Sequence, residues 1–177
     1  KVTGEDFVEL SRKWIFEPLK MTNTSIRTSQ EKKELNNLAY GHKKDSLERF
    51  VNATNFLSSN YTIWLGNRKG PGRVSSNAFD LLLWDQALYT EKLVSKKTME
   101  EAFTPYTLNS NTLSYYGFGW RLSKNPKNKI VSHSGSNPGY KTRIIRFLDK
   151  KKTIIILSNN DFLLDKLEDK LSSQLSI

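Results

Sequence analysis

Apolar and polar positions change period several times along this chain, and each change predicts an element. Phe7, Leu10 and Trp14 recur at helical spacing from about Glu5 to Phe16, with Thr3 and Asp6 placed to cap the first turn and Pro18 to stop it. Those aromatics read as core. Residues 22–72 are polar and irregular, rich in Asn, Ser, Lys and Thr, with short apolar clusters such as Tyr61-Thr-Ile-Trp-Leu65. Asn77 predicts the cap of a second helix through about Leu88, with Asp80 near its positive end and Phe79, Leu82, Leu83 and Ala87 facing inward. A third helix, around Thr98 to Phe103, ends before Pro105. Tyr116, Phe118, Trp120 and Leu122 then alternate opposite Gly117 and Gly119, the pattern of a half-buried strand. Arg143 to Leu148 and Thr153 to Leu157 are β-rich runs separated by the polar turn Asp149 to Lys152. Leu164, Leu167, Leu171 and Leu175 give a final amphipathic helix, from about Asp161 to Leu175, an apolar stripe to lay on the sheet.

The densest chemistry precedes those two strands. Lys129-Ile-Val-Ser-His-Ser-Gly-Ser-Asn-Pro-Gly-Tyr-Lys141 reads as a strand with a His-Ser-Gly triplet at its end, followed by a Pro-Gly turn. On strand alternation Val131, His133 and Gly135 share one face, so an imidazole stands beside a residue without a side chain. That pairing suits recognition of an anion or an acyl group. A lone histidine is more often a hydrogen-bonded structural residue, but the flanking Ser, Gly, Asn and Pro-Gly favour a site.

Composition narrows the classes. The 177 residues fit one domain, 1–177, and 37% hydrophobic with 11% aromatic content is enough to build a core. With no cysteine the chain has no disulfide, no thiolate nucleophile and no Cys-based zinc site. No metal or cofactor is implied. A net charge of +10 raises nucleic-acid binding as an alternative. However, the basic residues are scattered, their one triple falls in the Asp149 to Lys152 turn, and no nucleic-acid motif accompanies them.

The ordered motifs resemble those of the serine β-lactamase and penicillin-binding-protein superfamily, in its class C-like β-lactamase, esterase and D-Ala-D-Ala carboxypeptidase branch. Val2-Thr-Gly-Glu-Asp-Phe7 runs into Ile15-Phe-Glu-Pro-Leu-Lys-Met-Thr-Asn-Thr24, with Lys20 where the family has Gly. Ala39-Tyr-Gly-His42 is similar to a motif ending in Tyr. Gly72 to Leu81 followed by Trp84-Asp-Gln-Ala-Leu88 resembles the next, with Pro71 for a Gly and Ser76 for a Thr. Tyr116-Gly-Phe-Gly-Trp120, the His133 triplet and Ile154 to Asn159 complete the order, so the resemblance covers nearly the whole chain.

The resemblance implies an α+β fold of the β-lactamase/transpeptidase type, its C-terminal antiparallel strands flanked by helices. It implies acyl transfer on an amide, ester or β-lactam through a serine acyl-enzyme. In that scheme His133 is the catalytic-site residue, Ser134, Gly135 and Ser136 bind substrate, and the Ser136 N–H completes an oxyanion hole. The family's nucleophile lies in a Ser-x-x-Lys motif, followed by Tyr-x-Asn or Ser-x-Asn, both upstream of the stretch matched here. Ser29-Gln-Glu-Lys32 fits the first pattern literally but out of position, so it reads as a chance match. The expectation is therefore the C-terminal portion of such a hydrolase, lacking the N-terminal strands and the nucleophile-bearing region, and inactive alone. Its expected partners are a small-molecule or peptidoglycan-type substrate in the intact protein, and either the missing N-terminal half or self-association. No nucleic acid is expected. The expected location is periplasmic or secreted, at the cell envelope. A non-catalytic ligand-binding module of the same fold is the alternative.

Overall fold

The computed structural model describes residues 3–32, 35–60, 70, 72–125, 127–162 and 164–175. The Tyr61 to Leu65 cluster lies outside them. Helices and antiparallel strands alternate as in an α+β fold, and the chain divides into two compact units: Lys1–Trp84, Gly135–Thr142 and Leu157–Leu163 form the first, and Asp85–Ser134, Arg143–Ile156 and Leu164–Ile177 the second.

The first unit opens with α1 (Phe7–Ser11), continued by a π-helical turn, Arg12–Phe16. Asp6 is the cap, its Oδ1 accepting from the Val8 and Glu9 N–H groups, while Thr3 Oγ1 accepts only from Glu5 N–H. Phe7 and Trp14, expected in the core, are 51% and 60% exposed, and burial falls instead on Ser11 and Phe16. The π turn is the reason: its wider spacing breaks the period that would have kept residues 7, 10 and 14 on one stripe. Past Pro18, Lys20 adopts φ 59°, the left-handed conformation that suits the glycine found at this point of the resembling motif.

Short ladders follow. β1 (Ser25–Ile26) pairs antiparallel with β4 (Val74–Ser75), and β2 (His42–Lys44) with β3 (Phe50–Asn52). Between them α2 (Ser29–Lys32) is a single turn. Leu19, Met21, Ile26 and Ala53 are buried with Phe16.

Helix α3 (Ala78–Ala87) reverses the expected orientation. Ala87 is buried as expected, but Phe79 is 80% exposed and Leu82 and Leu83 are each 44% exposed, whereas Asp80 and Asp85 are buried. Hydrogen bonding explains the reversal. In the first unit the Asp80 carboxylate accepts from Asn23 N–H and Thr24 Oγ1, both at 2.8 Å, and Asn77 Oδ1 caps the helix by accepting from Asp80 N–H at 2.8 Å. In the second unit Asp85 meets a buried arginine, described below. Buried carboxylates must be paired, so they set which side turns in, ahead of the apolar residues.

The second unit holds α4 (Lys96–Ala102), capped by Ser95, and the small ladder of β5 (Tyr106–Thr107) with β6 (Leu113–Ser114). The long strand expected over residues 116–122 is instead a tight reversal: Tyr116 bridges to Arg121, Gly117 N–H donates to the Trp120 carbonyl at 2.8 Å, and Gly119 takes φ +81°. Only β7 (Arg121–Leu122) joins the main sheet. That sheet runs in the order β10-β9-β8-β7, with β8 at Ile130–Asn137, β9 at Tyr140–Phe147 and β10 at Lys152–Ser158. A two-residue Pro138-Gly139 turn joins β8 to β9, with Gly139 at φ +75°. The expected polar turn joins β9 to β10, with Lys151 in the left-handed region. Ile145, Phe147 and Ile154 form a core on which Leu171 and Leu175 of α5 (Asp165–Leu175) pack with Ile130 and Ile156. Leu171 and Leu175 thus pack as the stripe predicts, whereas the helix begins only at Asp165, after the buried Leu164, and Leu167 is 40% exposed.

Candidate functional site

The candidate site is built on β8. The strand does not stop at the His-Ser-Gly triplet but runs on to Asn137, which puts His133 in mid-strand rather than near an end. β7 pairs only with its beginning, Leu122 opposite Val131 and Arg121 opposite Ser132. Ser123 N–H donates to the Ile130 carbonyl, and backbone groups alternate sides along a strand. Residues 132, 134 and 136 therefore turn their N–H and C=O groups toward the β7 side, as does the Ile130 carbonyl, while the Ile130 N–H donates to the Asn128 carbonyl at 2.8 Å. At Arg121 the chain folds away into its reversal, and among the described residues no strand continues the pairing past Ser132. The N–H and C=O groups of Ser134 and Ser136 consequently line an open edge. Such an edge can take up an extended amide or an acyl oxygen by main-chain hydrogen bonds.

His133 is exposed, and its Nδ1 lies 2.5 Å from the Gly119 carbonyl oxygen. A carbonyl can only accept, so Nδ1 carries the proton and the Nε2 lone pair of the neutral ring is left to accept a hydrogen bond. Gly135 faces the neighbouring strand closely. A Cβ there would stand 2.4 Å from Thr142 Oγ1, so any larger residue would have to displace that hydroxyl.

Lys141 is a residue that motif reading missed. Its Nζ donates to Ser136 Oγ at 2.9 Å, which places a cation beside the last serine of the edge. The signal was present: a two-residue turn at Pro138-Gly139 fixes the register and puts residue 141 directly across from 136. The same end of the hairpin is fastened by Gly139 N–H donating to Asp161 Oδ1 at 2.9 Å and by the Tyr140 hydroxyl donating to the Ala39 carbonyl at 3.0 Å. Burial raises the Tyr140 pKa above the ordinary phenol range.

Ser29-Gln-Glu-Lys32 forms α2. Burial holds the Lys32 ammonium below its ordinary pKa, and the like charge of Arg73 adds to the effect. A lysine of that kind can serve as a base, but the side chain of Ser29 lies outside what the structure describes. Among the described residues no group of His, Asp or Glu is arranged to hold a metal ion, and no helix is long and apolar enough to cross a membrane.

The chain is similar to known proteins of one family. The family model described as Beta-lactamase matches residues 1–174. Penicillin-binding protein 4* of Bacillus subtilis (strain 168) is 39% identical over 166 residues, covering 91% of this chain and 36% of that protein. A putative penicillin-binding protein, PbpX, of the same organism is 29% identical over 160 residues, covering 90% of this chain and 36% of its own. The chain thus spans about a third of the length of these relatives. Among solved structures, the octameric penicillin-binding protein homologue from Pyrococcus abyssi superposes with a TM-score of 0.72 at 26% identity, over 91% of this chain and 35% of that one. A class C β-lactamase superposes at 0.61 over 94% of this chain and 50% of its own; at 17% identity that likeness speaks to the fold alone.

Proposed function

Because the chain belongs to the β-lactamase family and carries its serine-hydrolase fold, we propose that it supplies the substrate-binding wall of an acyl-transfer enzyme acting on an amide, ester or β-lactam. The observation that carries this reading is the open edge of β8, where, among the described residues, no strand pairs with Ser134 and Ser136 beside His133. In the reaction a serine oxygen attacks the carbonyl, its proton passes to a base, the acyl-enzyme forms as the leaving group departs, and water releases the acid. The Ser136 N–H donates to the oxyanion, a contribution on the order of 3 kcal/mol to the transition state. His133, with Nε2 open, accepts a hydrogen bond from substrate or from the nucleophile's network. Lys141 faces the substrate's carboxylate.

The nucleophile is assigned to the part of the fold that the relatives carry outside the matched third. On the same reading the protein works at the cell envelope, periplasmic or secreted, on a small-molecule or peptidoglycan-type substrate. The exposed Phe79, Leu82 and Leu83 of α3 are then covered by that remaining portion or by self-association.

The test is turnover of a chromogenic cephalosporin and of a p-nitrophenyl ester by the 177-residue chain. The expected result is none. Turnover that disappears in Ser29→Ala would move the nucleophile into α2, where Lys32 already has a lowered pKa, and would overturn this assignment.

A further inference from the structure

A buried cluster in the second unit has no part in the acyl-transfer scheme, yet it leads to His133. Arg146 on β9 is fully buried. Its Nε donates to Asp85 Oδ1 at 2.5 Å and its Nη2 to the Asp85 carbonyl at 3.1 Å, while Thr153 Oγ1 donates to the same carboxylate oxygen at 2.9 Å. Aromatic rings pack around the guanidinium: its central carbon lies 4.5 Å from the Tyr89 ring centre, 5.7 Å from that of Trp120 and 5.8 Å from that of Phe103. Phe103 and Trp120 meet edge to face, 5.9 Å apart at 77°. A planar cation tied to a carboxylate and packed among rings is a rigid seat, and Trp120 is held against it.

Trp120 closes the reversal that begins at Gly117. Gly119 N–H donates to the Gly117 carbonyl at 2.8 Å, and Gly119 holds a positive φ. Gly117 is pressed so closely on α4 that a Cβ would come within 1.9 Å of the Ala102 carbonyl oxygen. The turn is thus confined at Gly117 by α4 and at Trp120 by the arginine seat. Between those points the Gly119 carbonyl is aimed at His133 Nδ1.

We propose that Arg146, with Asp85 and Trp120, is a positioning group for His133: the buried ion pair seats Trp120, Trp120 fixes the Gly119 carbonyl, and that carbonyl holds the imidazole in its Nδ1–H form with Nε2 free. The importance of this for catalysis rests on His133 being a working residue of the site, as proposed above. The tautomer itself is measured without substrate, so the two readings fail separately.

The measurement is long-range ¹H–¹⁵N correlation of the histidine rings in the full chain, at a pH where they are neutral. His42 is the other histidine and serves as the internal reference. The expected wild-type result is His133 in the Nδ1–H form. The paired replacement Asp85→Leu with Arg146→Met removes both charges at once and orphans neither. It is expected to shift the tautomer ratio of His133 toward Nε2–H by roughly fivefold to tenfold, the equilibrium effect of one hydrogen bond. Trp120→Leu should shift it likewise, Trp120→Phe should restore it, and His42 should not change. A folded paired variant or Trp120→Leu protein that keeps the wild-type ratio overturns the proposal. So does a wild-type His133 in the Nε2–H form, and that result needs no variant to fold.

Discussion

Helices α3 and α5 carry apolar residues at comparable helical spacing, and they use them in opposite ways. Leu171 and Leu175 of α5 pack on Ile145, Phe147 and Ile154, so this half of its stripe is satisfied by residues of this same chain. On α3, Phe79, Leu82 and Leu83 are exposed while two aspartates are buried. The difference lies in what each helix can pair with. α5 has no buried acid and follows area burial alone, whereas burying Asp80 and Asp85 is tolerable only where donors wait for them, and that requirement fixes the rotation of α3.

The sharpest way to break this contrast is to remove the donors. Arg146→Ala leaves the Asp85 carboxylate buried without its cation and should lower unfolding free energy by about 3–5 kcal/mol in urea denaturation. The Asp85→Leu, Arg146→Met pair should recover most of that loss. Asp80→Ala strands the Asn23 N–H, leaves the Thr24 hydroxyl only Ser76 Oγ as partner, and should cost about 2 kcal/mol by the same method. Leu171→Ala, on the helix that obeys its stripe, should cost about 2 kcal/mol through lost burial and a partial cavity. The corresponding change on α3, Phe79→Ser with Leu83→Ser, should cost less than about 0.5 kcal/mol. Where self-association covers this face, sedimentation velocity should show that this last variant weakens it. A loss of stability as large as that of Leu171→Ala would mean that the α3 residues pack within the chain after all.

The same contrast marks what could be read from the sequence. The β9–β10 hairpin, its polar turn and the packing of α5 were legible because a single rule, alternation or the 3.6 period, governs each of them. The His133 strand was legible as a strand, and the small and polar residues beside the imidazole marked it as a candidate site. Where two rules competed, the reading went astray. The orientation of α3 depends on Arg146 and Thr24, which are distant in sequence, and no local pattern discloses that they donate to its aspartates. The π turn after α1 and the glycine reversal at residues 117–120 each interrupt a period that the side-chain pattern alone continues. Lys141 went unnoticed because its partner, Ser136, becomes its neighbour only once the hairpin register is counted.

The claim on which the functional account rests is that the open edge of β8 binds substrate, and the most direct test is an amide-resolved NMR titration of the ¹⁵N-labelled chain with benzylpenicillin. The account predicts concentration-dependent shifts of the Ser134 and Ser136 amides together with the His133 ring, and none in the Asp45 to Arg49 turn. Unmoved β8 resonances, or shifts confined to other residues such as those around His42 and Asn160, would contradict it.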